Sequence, residues 1–264
     1  MPSLKMRAAA LILIVAYFAL VSCAKAPNFG GSGTRLLVSM RFNGPINDRY
    51  HYFFLMRNAG DDQGRNGPIP VIEPPYGGNG FATGKHPATN MAAFTDFVEY
   101  NKSDQPFISS TGYTLYHVPG GYTGNPTNNI FTQVGTPVTS VSPNGGALLQ
   151  FEIDLGQLQN TNDPAPNPDN RPRYIQINII ATTTTPANSP TIDSNYYFDA
   201  IGDQRAGAAS DTFNTFVTID TQQTGKVYQS GVAPMPDEPT GDSYPADKDP
   251  GLDLIFWAIQ VLGK

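Results

Sequence analysis

Ala147-Leu148-Leu149-Gln150-Phe151-Glu152-Ile153-Asp154-Leu155 decides the fold class. Leu149, Phe151, Ile153 and Leu155 share one parity, and Gln150, Glu152 and Asp154 share the other. Successive strand side chains point to opposite faces, so this alternation marks a strand with one face in a core and one in water. Arg173 to Thr183 repeats it, with Ile175, Ile177 and Ile179 inward and Gln176 and Asn178 outward. Antiparallel sheets with one solvated face carry this signature.

Working outward from these two segments, strand signals recur between turn formers. Arg35 to Phe42 ends at Gly44-Pro45, and Tyr50 to Met56 ends at Asn58-Ala59-Gly60-Asp61-Asp62. Phe94–Tyr100, Tyr113–Val118, Ile130–Val134 and Val138–Val141 precede the central pair, and Asn195–Ala200, Phe213–Ile219 and Lys226–Gln229 follow it. A short strand is also expected at Ile69–Ile72, inside a Pro/Gly loop from Pro68 to Pro87. Residues 231–251 read as a Pro/Asp-rich linker, and 252–262 as a final strand with Ile255, Trp257, Ile259 and Val261 on one face. That last run is too short to span a membrane, and only Asp253 and Gln260 would give an interfacial helix its polar side. No segment has the period of a long amphipathic helix. About ten to twelve short strands between turn signals give an all-β chain, a single large antiparallel β-sandwich with long Pro/Gly-rich loops over residues 35–264.

Composition agrees. Only 14% of residues are charged, against about 25% in ordinary globular proteins, and Thr, Asn, Gly, Pro and Tyr fill the gap. The net charge is −6, with no basic run, which excludes nucleic acid as a partner and electrostatic docking on anionic lipid. Cys23 is the single cysteine, so no disulfide forms within the chain.

The N-terminus reads as an address. Lys5 and Arg7 precede an apolar run from Ala8 to Val21, the length of a signal-peptide core and short for a transmembrane helix. The junction Leu20-Val21-Ser22-Cys23 resembles the lipobox of bacterial lipoproteins. The resemblance implies that residues 1–22 are a signal peptide and that Cys23 is acylated, palmitate-type chains holding the protein to the membrane. Residues 23–34 then form a flexible tether. Ala24 lacks the acidic inner-membrane retention signal and directs the protein to the outer membrane where one exists. The alternative is an uncut signal anchor in which Cys23 is incidental.

Three further stretches, Tyr50-His51-Tyr52-Phe53-Phe54-Leu55, the run from Leu149 to Leu158 leading into Tyr174 to Thr182, and Asp199-Ala200-Ile201-Gly202-Asp203, resemble DOMON-like and family-9 carbohydrate-binding-module sandwiches. The resemblance implies a binding role. Arg57-Asn58-Ala59-Gly60-Asp61-Asp62 departs from the aspartate-rich strand end of that group, and paired haem ligands have no counterpart, so no cofactor is expected.

Candidate chemistry is sparse. His51, His86 and His117 lie without a Gly-x-Ser-x-Gly elbow or zinc-type spacing, and surface or core histidines are the plainer reading. Glu99 and Glu152 are the conceivable glycosidase pair, both at outward strand positions. Asp61, Asp62, Asp199 and Asp203 offer oxygen ligands for a structural calcium ion, with Asx turns as the alternative. Tyr76, Asn79 and Phe81 in a Pro/Gly loop, with Tyr113, Tyr116 and Tyr122, offer flat rings and an amide for stacking on sugars; the alternative is that the tyrosines pack the sandwich and plug its loop ends. The expectation is an extracytoplasmic, lipid-anchored, non-catalytic module that binds polysaccharide or another envelope component. A structural protein that self-associates through strand edges is the second reading, and an extracellular hydrolase the third.

Overall fold

Side chains of both parities decide how these strands are buried. A computed structural model describes residues 33–59, 67–68, 94–103, 109–118, 131–158, 172–183, 197–201, 216–238, 240–241 and 249–263. The described strands are β1 (Arg35–Phe42), β2 (His51–Ala59), β3 (Asp96–Tyr100), β4 (Tyr113–His117), β5 (Thr132–Gly135), β6 (Thr139–Val141), β7 (Leu148–Asp154), β8 (Tyr174–Thr182), β9 (Phe198–Ala200), β10 (Val217–Asp220), β11 (Val227–Gln229) and β12 (Leu254–Leu262). One turn of 3-10 helix, Leu155–Gln157, follows β7. The leader 1–22 and the strand expected at Ile69–Ile72 lie outside the described residues.

Two antiparallel sheets pack into the expected sandwich. The five-stranded sheet has the order β11-β12-β1-β7-β6, and the seven-stranded sheet β10-β8-β2-β3-β4-β5, with β9 also paired to β8. Leu36, Val38 and Met40 of β1 meet Leu149, Phe151 and Ile153 of β7 and Trp257, Ile259 and Val261 of β12 on the inner face of the first sheet. Tyr52, Phe54 and Met56 of β2, Val98 and Tyr100 of β3, and Ile175, Ile177 and Ile179 of β8 close the core from the second. Phe54 and Phe151 touch edge to face across it, 5.7 Å between centroids.

Three expectations are corrected. Gln176 and Asn178 do not face water: both are fully buried, because the seven-stranded sheet is covered on its outer side too. A second apolar cluster lies there, with Phe53, Leu55, Phe94, Phe97, Val118, Ile180 and Ala200. Gln176 accepts a bond from Arg57, and Asn178 donates to the Pro68 carbonyl at 3.0 Å. Asp154 is also buried, because its side chain caps the 3-10 turn by accepting from the Gly156 N–H at 2.7 Å. Ile255 does not share the inward face of Trp257. A β-bulge between Arg41 and Phe42 pairs Arg41 with Phe256 and Phe42 with Leu254, so Ile255 is the extra residue and Leu254 takes the inward place.

The 231–251 segment is not a free linker where it is described. Glu238 is buried and accepts from the indole Nε1 of Trp257 at 3.2 Å, and Met235 packs on the core. The bulge makes a direct prediction. Ile259→Ala should cost about 2–5 kcal/mol, and Ile255→Ala well under half of that, in urea unfolding of the mature protein. Equal costs would put Ile255 back in the core.

Candidate functional site

At the end of the sandwich where β1 finishes, four backbone segments converge. Residues 43–50 leave the five-stranded sheet for β2, residues 101–103 follow β3, the turn at 143–146 joins β6 to β7, and residues 249–251 precede β12. The Gly44 N–H donates to the Pro250 carbonyl, and a Cβ on Gly44 would meet Pro250 atoms at 2.9 Å, so the close approach requires glycine. The Ile46 N–H donates to the Gly146 carbonyl at 2.9 Å and draws the β6–β7 turn alongside. Asn144 at that turn's tip has φ 49°, a left-handed conformation that asparagine tolerates.

These segments enclose an open cleft of about 480 Å³ lined by Pro45, Ile46, Asn47, Asp48, Lys102, Asn144, Gly145 and Asp249. That volume lies within the roughly 300–1,000 Å³ of small-molecule sites. Tyrosines beneath it orient the carboxylates. Tyr100 donates to Asp48 Oδ1 at 2.6 Å, and Tyr50 donates to Asp249 Oδ2 at 2.5 Å. The Gly251 N–H donates to Asp249 Oδ1 at 2.9 Å, and Lys102 Nζ lies 3.8 Å from Asp48 Oδ2. Tyr52 locks the wall, accepting from the Asn47 N–H at 3.1 Å and donating to the Gly251 carbonyl at 3.0 Å.

Each carboxylate oxygen carries two lone pairs, so the bonds described leave acceptor capacity on two side chains that line the cleft. Asn47, Asn144 and Lys102 bring donors to the same space. The set suits a ligand that both donates and accepts hydrogen bonds, as a hydroxyl does.

The histidines lie elsewhere. His51 is buried on the outer side of the seven-stranded sheet, its Nδ1 2.7 Å from Glu99 Oε1 and its two ring nitrogens 3.2 and 3.3 Å from Asn101 Nδ2. His117 Nδ1 lies 2.6 Å from Asp96 Oδ1, and the other Asp96 oxygen accepts from Thr95 at 2.6 Å. Asp96 and Asn101 end opposite sides of β3, roughly 16 Å apart at strand rise, so the two pairs form no joint constellation. Glu99 is not a solvated outward carboxylate, because that face is covered. Glu152 stands on the outer side of the other sheet, where Arg35 donates to it at 2.9 Å. Outer faces of sheets packed about 10 Å apart hold the two carboxylates beyond the reach of a glycosidase pair.

Of the expected sugar-stacking residues, Tyr113 is fully buried. Its hydroxyl sits between β6 and β7, accepting from the Gln150 N–H at 3.1 Å and donating to the Val141 carbonyl at 3.1 Å. Tyr113 therefore packs the sandwich and offers no ring to a solute. Tyr116 is half-buried and stacked on Phe97 at 4.7 Å, part of the second apolar cluster. Tyr76, Asn79, Phe81 and Tyr122 lie outside the described residues, as do Cys23, His86, Asp61, Asp62 and Asp203. Asp199 is buried, and its two oxygens accept the backbone N–H groups of Ala200 and Leu254, which pins β9 to the start of β12. Among the described residues no three His, Cys, Asp or Glu side chains are grouped to hold a metal ion.

A second hollow of about 350 Å³ opens beside β10 and β11, lined by Tyr174, Asp220, Lys226, Tyr228, Val232 and Met235 among others. Lys226 there lies over the Tyr228 ring at 4.5 Å. Its polar side chains are more numerous but engaged with one another, since the Gln222 N–H and Gln223 Nε2 both donate to Asp220, whereas the end cleft holds two carboxylates, which makes the end cleft the better candidate.

The tyrosines beneath the end cleft resist ionisation. Burial, then the bond to Asp249, pushes Tyr50 up to about 12. Burial first and Asp48 second raise Tyr100, and burial raises Tyr52 and Tyr113. Below the ordinary phenol value of 10 their contribution to stability is complete; from there to about 12 the unfolded chain loses protons that folded Tyr50 keeps, so stability falls. A urea midpoint followed from pH 8 to 12 should decline above 10, and Tyr50→Phe should shallow the decline. An unchanged slope in that variant would contradict the assignment.

No protein family, curated protein or solved structure matches this chain.

Proposed function

We propose that this chain is a bacterial envelope lipoprotein, acylated at Cys23, whose β-sandwich is a non-catalytic module that binds neutral polysaccharide. The observation that carries the reading is the end cleft, in which two tyrosine-buttressed carboxylates, two asparagines and a lysine surround a space of ligand size. A sugar ring presents neighbouring hydroxyls that donate to the carboxylates and accept from the amides and the ammonium. Charge selects among sugars: Asp48 and Asp249 outnumber Lys102, so a uronic acid is repelled where a neutral hexose is not.

Connectivity supports the same reading. The sequence that precedes Arg35 joins β1 at the end of the strand away from the cleft, and eight residues of strand span about 25 Å. A tether of about ten residues reaches roughly 15–20 Å, which clears lipid headgroups. The strand patterns that resemble family-9 carbohydrate-binding modules agree with this role.

Two measurements test the proposal. An alkyne palmitate analogue should label the mature protein, and Cys23→Ser should abolish labelling; labelling that persists would remove Cys23 as the anchor. Full-length protein in a zwitterionic detergent should retain neutral oligosaccharides on a glycan array and pass over polyuronates. Asp48→Asn combined with Asp249→Asn should weaken that retention about tenfold or more, the scale of losing charge-assisted hydrogen bonds. Retention unchanged in the double variant would remove the cleft from the reading, and no retention by the parent would remove polysaccharide.

A further inference from the structure

From Gln105 to Phe151 the sequence holds no Asp, Glu, Lys or Arg. The topology places the described strands of this stretch along one flank. β4 and β5 end the seven-stranded sheet there, and β6 and most of β7 end the five-stranded sheet. Thr132, Gln133 and Val134 of β5 are all exposed, and so are Thr139 and Val141 of β6. Val134 is 43% exposed, Val141 55% and Leu148 43%, three of the five large apolar side chains most open to water among the described residues. The other flank differs: Asp220 ends β10 and Lys226 precedes β11, both charged.

Sheet edges that stay unpaired are usually guarded by lysine or by inward-pointing charge. This one has neither, only the prolines Pro137 and Pro143 on either side of β6. We infer that the β5–β6 flank is a self-association surface, on which a second copy of this chain docks by antiparallel pairing of β6 with its counterpart.

Charge and symmetry both name the occupant. The chain carries a net charge of −6, so two copies repel through most surfaces, and the uncharged flank is where they approach without that cost. An unpaired strand edge takes an extended strand as its partner. A two-fold axis perpendicular to the five-stranded sheet sets β6 antiparallel to its own copy, which continues the antiparallel order of β7 and β6. Centred on Ser140, the pairing brings Thr139 of each copy across from Val141 of the other, with Val134 and Leu148 close by on the same flank. Pro137 and Pro143 lack the N–H that would extend the ladder. An isologous contact of this kind uses both edges and closes as a dimer. The inference stands apart from glycan binding, since the end cleft and this flank are different surfaces.

Cross-linking of the full-length chain in cell membranes tests it. The only native cysteine is Cys23, so the parent chain supplies the background. Ser140→Cys alone, and Thr139→Cys co-expressed with Val141→Cys, should each give a disulfide-linked dimer on a non-reducing gel under mild oxidation, because those pairs face each other across the joined strands. Val227→Cys, on the opposite flank and 47% exposed, should give none above background. Adding Val141→Lys to Ser140→Cys should cut the dimer at least tenfold, because two copies then place ammonium groups side by side. No dimer from either edge pairing in chains present at the parental level would overturn the inference. So would equal cross-linking at Val227→Cys, or a lysine without effect.

Discussion

A sandwich without disulfides must satisfy the backbone wherever the chain leaves one sheet for the other, and here tyrosine hydroxyls do it. Tyr52 stands on β2, yet its hydroxyl accepts from Asn47 and donates to Gly251, outside the seven-stranded sheet. Tyr113 reaches from β4 into the gap between β6 and β7. Tyr228 reaches from β11 to β10, where its hydroxyl accepts from the Asp220 N–H at 3.0 Å. A phenol suits the task because its rigid ring fills the core while one oxygen donates and accepts. Phenylalanine in the same places would fill the space and leave buried backbone groups unpaired, at about 1–3 kcal/mol each.

This constraint limits what the tyrosine count says about recognition. Thirteen tyrosines in a β-rich chain invite a reading of stacked sugars. Tyr52, Tyr100 and Tyr113 are instead core residues, and Tyr50 and Tyr100 act on the cleft only through the carboxylates they hold. What they leave to a ligand is polar, two acceptors fixed in direction. Flat aromatic faces play no part in the described wall of the cleft.

Legibility in the sequence followed the faces of the sheets. β7 belongs to the sheet with a solvated side, and its alternation reads directly as inward and outward positions as far as Asp154, which turns in to cap the 3-10 turn. β8 alternates just as cleanly, yet Gln176 and Asn178 are buried. Alternation reports that two faces differ in polarity, and only the covering segment decides whether the polar one meets water. The warning lay in β2, where Tyr52-Phe53-Phe54-Leu55-Met56 is apolar on both parities and so needs cover on both sides. Ile255 misled for another reason, since a bulge is set by pairing with β1 and leaves no mark in β12 itself. The cleft was hardest to see, because Asp48, Lys102, Asn144 and Asp249 are scattered turn residues that only the strand order brings together.

That strand order also assigns different work to different surfaces. The outer side of the seven-stranded sheet is occupied by Phe53, Phe97, Ile180 and their neighbours. The outer side of the five-stranded sheet is solvated, but its polar groups bond laterally: Thr139 and Arg35 both donate to Glu152, and Gln150 donates to Ser39. Groups paired along a flat face have little left for a solute and no concavity to exclude water around it. At the end of the strands the geometry reverses. Segments from both sheets splay around a hollow, and the carboxylates that line it are each held by a tyrosine hydroxyl. The proposed recognition of a small polar group thus draws on the end of this sandwich, and the inferred contact with a second copy on its uncharged flank.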